Sequence, residues 1–282
     1  VEIDHAVELG VMALDHAGRM AAEADLLHLG APVLPGEHLL DLHLPGIRGY
    51  YEESIRLATK ESLSYESFLL DLLERENEER YHNRVSRLLR ESKLPLEKKL
   101  ENFDKGRLPA RIRQQLQTLL EGSFLDRQEN VLVFGNPGSG KTHFLCAIGQ
   151  ELIKNNRRVL FTTCNRLVQD LLIAKRDLKL VRFLKKQARY DAIIIDDIGY
   201  VQQNREEMEV LFTLISERYE RGSLLISSNL PFSKWETIFK SPMVTVAAID
   251  RLVHHSVIVE MNLDSYRIAA AKSKKDDSGK SE

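Results

Sequence analysis

Two regimes of apolar spacing divide the chain. From Asn130 onward, short and nearly continuous apolar runs alternate with segments whose apolar residues recur every three to four positions; before that point the helical period prevails. The runs Val131–Phe134, Val159–Thr163, Ala192–Asp196, Ser223–Ser228 and Ser256–Glu260 predict five strands. Ile193-Ile194-Ile195 has no polar alternation, as expected of a strand covered on both faces. Between the runs, Lys141–Lys154, Arg166–Ala174, Leu178–Ala188 and Glu206–Arg221 predict helices, followed by a short pair around Trp235 and Ile249. This alternation predicts an α/β domain over residues 123–270, built on a five-stranded parallel sheet.

Residues 39–122 predict a small all-helical domain. Leu44-Pro45-Gly46 reads as a turn, Tyr50–Ala58 as a short helix, and Ser64–Glu91 as a longer one with Leu69, Leu70, Leu73, Tyr81, Val85, Leu88 and Leu89 on its apolar side. Pro95 and Pro109 punctuate two further short helices. A unit this charged buries little by itself and is expected to pack on a partner or on the following domain, which leaves two readings open: a solvated cap, or a surface for docking a partner or for oligomerisation. Ala6–Leu29 has a helical period that Pro32, Pro35 and Gly36 break, and residues 1–38 form an appendage of unknown role. His5, His16, His28, His38 and His43 crowd this end without the spacing of a metal site. Residues 271–282 are too polar to fold and predict a disordered tail.

Composition narrows the class. In 282 residues, 43% hydrophobic and 29% charged is a soluble globular balance, and a net charge of −2 means that any nucleic-acid surface is local. Cys146 and Cys164 are too few for a disulfide framework and lie in apolar stretches, which points to a reducing cytosol and to packing roles. No apolar run reaches the length of a membrane span, and the first residues lack the pattern of a signal peptide.

The chemistry begins where the first strand ends. Gly135-Asn136-Pro137-Gly138-Ser139-Gly140-Lys141-Thr142 fits the phosphate-binding pattern G-x-x-x-x-G-K-[ST], with a strand before it and a helix after it. The glycines let successive N–H groups turn toward phosphate oxygens, and the helix that starts here, with His143 in its first turn, adds its positive end. Lys141 would reach the β- and γ-phosphates of ATP, and Thr142 would put its hydroxyl on Mg²⁺. Further on, Ala192-Ile193-Ile194-Ile195-Asp196-Asp197 reads as a Walker B strand. Its acidic end would emerge beside the phosphates, Asp196 holding Mg²⁺ through water and Asp197 orienting and deprotonating the attacking water.

These motifs, followed by Ser227-Ser228-Asn229-Leu230-Pro231-Phe232 with Trp235, Asp250-Arg251-Leu252, His254-His255 and Ser265-Tyr266-Arg267, resemble the IstB-type helper ATPases of insertion sequences. That group belongs to the AAA+ class and is related to the DnaC-type helicase loaders. The resemblance runs from about Leu39 to Arg267. It implies that Asn229 is sensor I, that Arg251 is an arginine finger acting on a neighbouring subunit's site, and that Arg267 is the sensor II arginine. Without the resemblance, Asn229 reads equally well as a turn residue and Arg251 as an ion-pair partner. Many AAA+ enzymes have Asp-Glu where this chain has Asp196-Asp197; the carboxylate set back by one methylene predicts slow, partner-stimulated turnover.

The basic stretch Lys175–Arg189 carries Arg176, Lys179, Arg182, Lys185 and Lys186 against a single acidic residue, Asp177. With no base-reading pattern in view, it predicts sequence-tolerant contact with DNA phosphates. Three functions are compatible with these features. The first is a homo-oligomeric helper that presents duplex target DNA to a transposase; the second is a helicase loader; the third is an ATP-switched DNA scaffold that does not hydrolyse.

Overall fold

The computed structural model describes residues 35–199, 205–235, 242–263, 265 and 266. The expectations for residues 1–34, for Arg267 and for the tail lie outside them. The chain divides into two compact units, one ending at Arg80 and the other beginning at Tyr81. Among the described residues no helix is long and apolar enough to cross a membrane.

The first unit holds α1 (Pro35–Asp41), α2 (Pro45–Glu61) and the first part of α3 (Tyr65–Ser92). Leu44-Pro45-Gly46 was expected to form a turn, but helix α2 starts at Pro45 and absorbs it. Proline suits the first helical position, where its missing N–H has no intrahelical partner to lose. The N-cap residue Leu44 offers no side-chain bond, and Glu76 of α3 supplies one instead, its Oε2 accepting from Ile47 N at 2.9 Å. Glu76 is buried, and Arg80 both donates to its Oε1 at 2.6 Å and reaches the His43 carbonyl at 2.9 Å. A Cβ on Gly46 would meet the Glu76 backbone at 2.9 Å, so glycine is what lets α2 approach α3 here. Ser54 donates to Asp71 at 3.0 Å, and a hydrogen bond from Arg75 holds the Asp71 carboxyl below its ordinary pKa.

The second unit is the expected α/β fold. Its strands are β1 (Asn130–Gly135), β2 (Val159–Thr163), β3 (Ala192–Asp196), β4 (Ser223–Ser228) and β5 (Ser256–Met261). All pair in parallel, in the order β2-β3-β4-β1-β5. The helices are α4 (Ala110–Glu121), α5 (Ser123–Asp126), α6 (Lys141–Lys154), α7 (Cys164–Arg176), α8 (Leu180–Gln187), α9 (Arg205–Arg218) and α10 (Pro242–Val253). Because strand side chains alternate, β1 sends Val131 and Val133 to one core and Leu132 to the other. The first core, against α4 and α6, also contains Leu88, Leu94, Leu108, Ile112 and Leu116. The segment from Tyr81 to Gly122, grouped by sequence with the helical domain, therefore packs with the sheet. The second core takes in Ile193, Ile195, Leu224, Ile226 and Trp235 with apolar residues of α7, α9 and α10. Fully burying each such side chain contributes about 1.5–3 kcal/mol, which is why unbroken apolar strands mark this layer so clearly.

Candidate nucleotide site

The strand order brings the site together. Strand β4 lies between β1 and β3, so the loop after β1 and the acid pair after β3 flank its carboxyl end. The parallel register sets Ile195 opposite Ile226 and Val133 opposite Ser227, and Asp196 thus leaves the sheet beside Ser227.

The phosphate loop needs its glycines. Gly135, Gly138 and Gly140 have φ of 155°, 81° and 97°, a region that disfavours residues with a Cβ. Space is equally tight: a Cβ on Gly135 would overlap the Met261 carbonyl of β5, and one on Gly138 would overlap the Ser265 hydroxyl. Tyr266 N donates to Gly138 O at 3.0 Å, which fixes the Asn136-Pro137-Gly138 arch. Gly140 is the N-cap of α6, and Lys141, Thr142 and His143 form its first turn, at the positive end of the helix dipole. The His143 ring faces away from the loop, with Nε2 2.9 Å from Lys99 O and an edge-to-face contact with Phe103 at 5.1 Å.

Five hydrogen bonds link six polar residues in a chain whose two ends, Thr142 and Lys141, are neighbours in sequence. Thr142 Oγ1 donates to Asp196 Oδ1 at 2.8 Å, and Ser227 Oγ donates to the same oxygen at 2.6 Å. Asp197 N donates to Ser227 Oγ at 2.8 Å, Asn229 Nδ2 donates to Asp197 Oδ1 at 2.8 Å, and Lys141 Nζ donates to Asn229 Oδ1. Lys141 also donates to the carbonyls of Gly135 and Asn136, each at 2.9 Å. Asp197 adopts φ 67°, a left-handed conformation that costs about 1–3 kcal/mol outside glycine; its bond to Ser227 and the one it accepts from Asn229 hold it there. Behind Asn229, Trp235 is fully buried, donates from Nε1 to Leu230 O at 3.1 Å and packs with Phe232 and Phe134. This aromatic wedge sets the turn that carries Asn229.

A nucleoside triphosphate with a hard divalent cation fits these residues. Thr142 and Asp196 offer oxygen donors of the kind such a cation prefers, and Lys141 supplies the positive charge that phosphates require. Among the described residues, Ser139 Oγ is buried in the loop with no hydrogen-bond partner, as suits a hydroxyl that a bound phosphate would engage.

The other sequence candidates lie elsewhere. Arg251, in the last turn of α10, donates to Ala247 O at 3.0 Å and lies 4.9 Å over the Phe212 ring, contacts of α9 and α10 rather than of the phosphate loop. Arg182, Lys185 and Lys186 are exposed along α8 at three- and four-residue spacing, while Leu184 and Gln187 are buried. Arg176 and Lys179 flank Asp177 at 3.9 and 3.7 Å. Ser227 stood in the sequence only as part of the Ser227-Ser228-Asn229 string, without a role, although two serines ending an apolar strand were a visible signal. Ser265 and Tyr266 were also missed as supports of the loop, which no local pattern reveals.

Comparison with known proteins agrees with this geometry. The family described as IstB-like ATP binding protein matches residues 37–275. A putative insertion sequence ATP-binding protein of Sinorhizobium fredii, y4iQ/y4nD/y4sD, is 43% identical over 237 residues, which is 84% of this chain and 80% of that one. Among solved structures, AMPPCP-bound DnaA from Aquifex aeolicus superposes with a TM-score of 0.52 at 22% identity over 65% of this chain and 56% of DnaA. The DnaC helicase loader does so with a TM-score of 0.51 at 15% identity over 58% of this chain and 96% of the loader. These structural likenesses establish a P-loop AAA+ fold. With the family matched over most of its length, the chain belongs to the IstB-like ATP-binding proteins.

Proposed function

We propose that this protein is an ATP-hydrolysing helper of a transposase, which assembles as an oligomer on duplex DNA with its nucleotide sites at subunit interfaces. The observation that carries the reading is the hydrogen-bonded chain Thr142–Asp196–Ser227–Asp197–Asn229–Lys141, which joins the phosphate loop and the acid pair through one strand end. The insertion-sequence name of the relative supports the transposition context.

In this reading the loop amides and Lys141 bind the phosphates. Thr142 and Asp196 would hold Mg²⁺, which would supply positive charge against the phosphates. Asp197 orients the attacking water and takes its proton, and Asn229 fixes the Asp197 carboxylate. Arg251 acts on a neighbouring subunit's nucleotide, since its own contacts lie on α9 and α10. Arg176, Lys179, Arg182, Lys185 and Lys186 hold DNA phosphates, and the helical region through residue 122 meets the transposase.

Phosphate release with and without duplex DNA tests the proposal. Slow release that duplex DNA stimulates is expected, with Asp197→Asn binding ATP but releasing no phosphate. Stimulation by single strands alone would redirect the assignment to a helicase loader. ATP binding with no release under any condition would leave a scaffold.

A further inference from the structure

The pair His254-His255 plays no part in the nucleotide site. The two residues follow α10 at the amino end of the sheet, where Glu220 of the α9–β4 turn meets them. One ligand atom from each of Glu220, His254 and His255 lies within 4.8 Å of the others, and all three side chains are exposed. We propose that these residues form a site for a transition-metal ion of the zinc class, distinct from the Mg²⁺ position of the nucleotide site.

The ligand set is two imidazoles and a carboxylate, a combination that selects zinc, cobalt or nickel over magnesium or calcium and leaves a fourth position for water. The backbone carrying the ligands is pinned. His254 N donates to Asp250 O at 3.0 Å, His255 O accepts from Asn130 N at 2.7 Å, and the Glu220 turn is closed by Arg221 N and Gly222 N on Arg218 O. Only side-chain rotations are therefore needed to draw the ligand atoms to bonding distance of about 2.0–2.2 Å from one ion. Tyr219 Oη lies 3.1 Å from His254 Nδ1. With Nδ1–H donating to this oxygen, Nε2 keeps its lone pair free for a metal, the tautomer that an outer partner imposes on a metal-binding histidine. A bound ion would tie the carboxyl end of α9 to that of α10, one turn beyond Arg251, whose guanidinium rests on Phe212 of α9.

The test uses the tag-free full chain, stripped with chelator and titrated with Co²⁺ and then Zn²⁺ without nucleotide or DNA, so its failure is separate from failure of the proposed function. One equivalent of Co²⁺ giving a four-coordinate visible spectrum, displaced by Zn²⁺, is expected. His254→Ala, His255→Ala and Glu220→Gln each weaken binding by at least about 100-fold, and Tyr219→Phe by about tenfold. Should a variant fail to fold, the wild-type chain still answers: Zn²⁺ must protect His254 and His255 from diethyl pyrocarbonate, read by peptide mass. No binding, equal binding by the histidine variants, or unprotected histidines would overturn the site.

Discussion

At the carboxyl ends of the strands, Lys141, Thr142, Asp196, Asp197, Ser227 and Asn229 bond to one another, Lys141 holding two loop carbonyls as well, whereas at the amino ends Asn130 and Arg218 bond to backbone. Asn130 accepts from Leu224 N and donates to Leu252 O, stitching β1 to β4 and to the end of α10. Arg218 spends its guanidinium on the carbonyls of Gln187, Tyr190, Asp191 and Ser223. Burial pushes its pKa down to about 10, still far enough above neutral that it stays charged. Side chains bonded to side chains can exchange partners for a ligand at little cost. A buried guanidinium capping four carbonyls has no such freedom, because each carbonyl left bare keeps its desolvation penalty. Buried charge alone thus does not mark a site; the kind of partner does.

Substitutions at each end sharpen the contrast. Lys141→Ala should lower ATP hydrolysis by about 100- to 1000-fold while costing only about 1 kcal/mol of stability in urea unfolding, for the Gly135 and Asn136 carbonyls it uncaps. Arg218→Met should do the reverse in kind, costing about 3–5 kcal/mol of stability in urea unfolding, with nucleotide binding kept in whatever fraction stays folded. Equal losses of stability in both variants would erase the distinction. Ser227→Ala removes the hydroxyl that donates to Asp196 and accepts from Asp197, and should slow hydrolysis by about 10- to 100-fold at a stability cost of about 1 kcal/mol. The smallest effect is expected at Cys146, whose thiol burial pushes up to about 12. Since that pKa is raised, thiolate is scarce at pH 8, and a thiol reagent should leave Cys146 unmodified until denaturant is added.

The sheet was legible because burial on both faces leaves no polar alternation: β2, β3, β4 and α6 have the bounds read from the sequence. Lys141, Thr142, Asp196 and Asp197 were legible because glycine spacing and an acid-ended apolar run are local patterns. What the sequence hid is non-local. Pro45 starts a helix because Glu76, on another helix, caps it. Residues 81–122 looked like the rest of the helical region, yet Leu94, Ile112 and Leu116 are buried with the sheet. Ser227 became visible once register set it beside Asp196, and the Phe134–Phe232–Trp235 cluster explains why Asn229 is held where it is.

In the proposed function, each nucleotide site is completed by Arg251 of another subunit. Mixing Lys141→Ala with Arg251→Ala protein on duplex DNA and measuring phosphate release tests it most directly. Arg251→Ala alone should fall about 1000-fold, Lys141→Ala alone should be near background, and the mixture should recover activity well above either, since an intact loop on one subunit then meets an intact arginine on its neighbour. A mixture no more active than its components, or an Arg251→Ala protein as active as wild type, would contradict the claim.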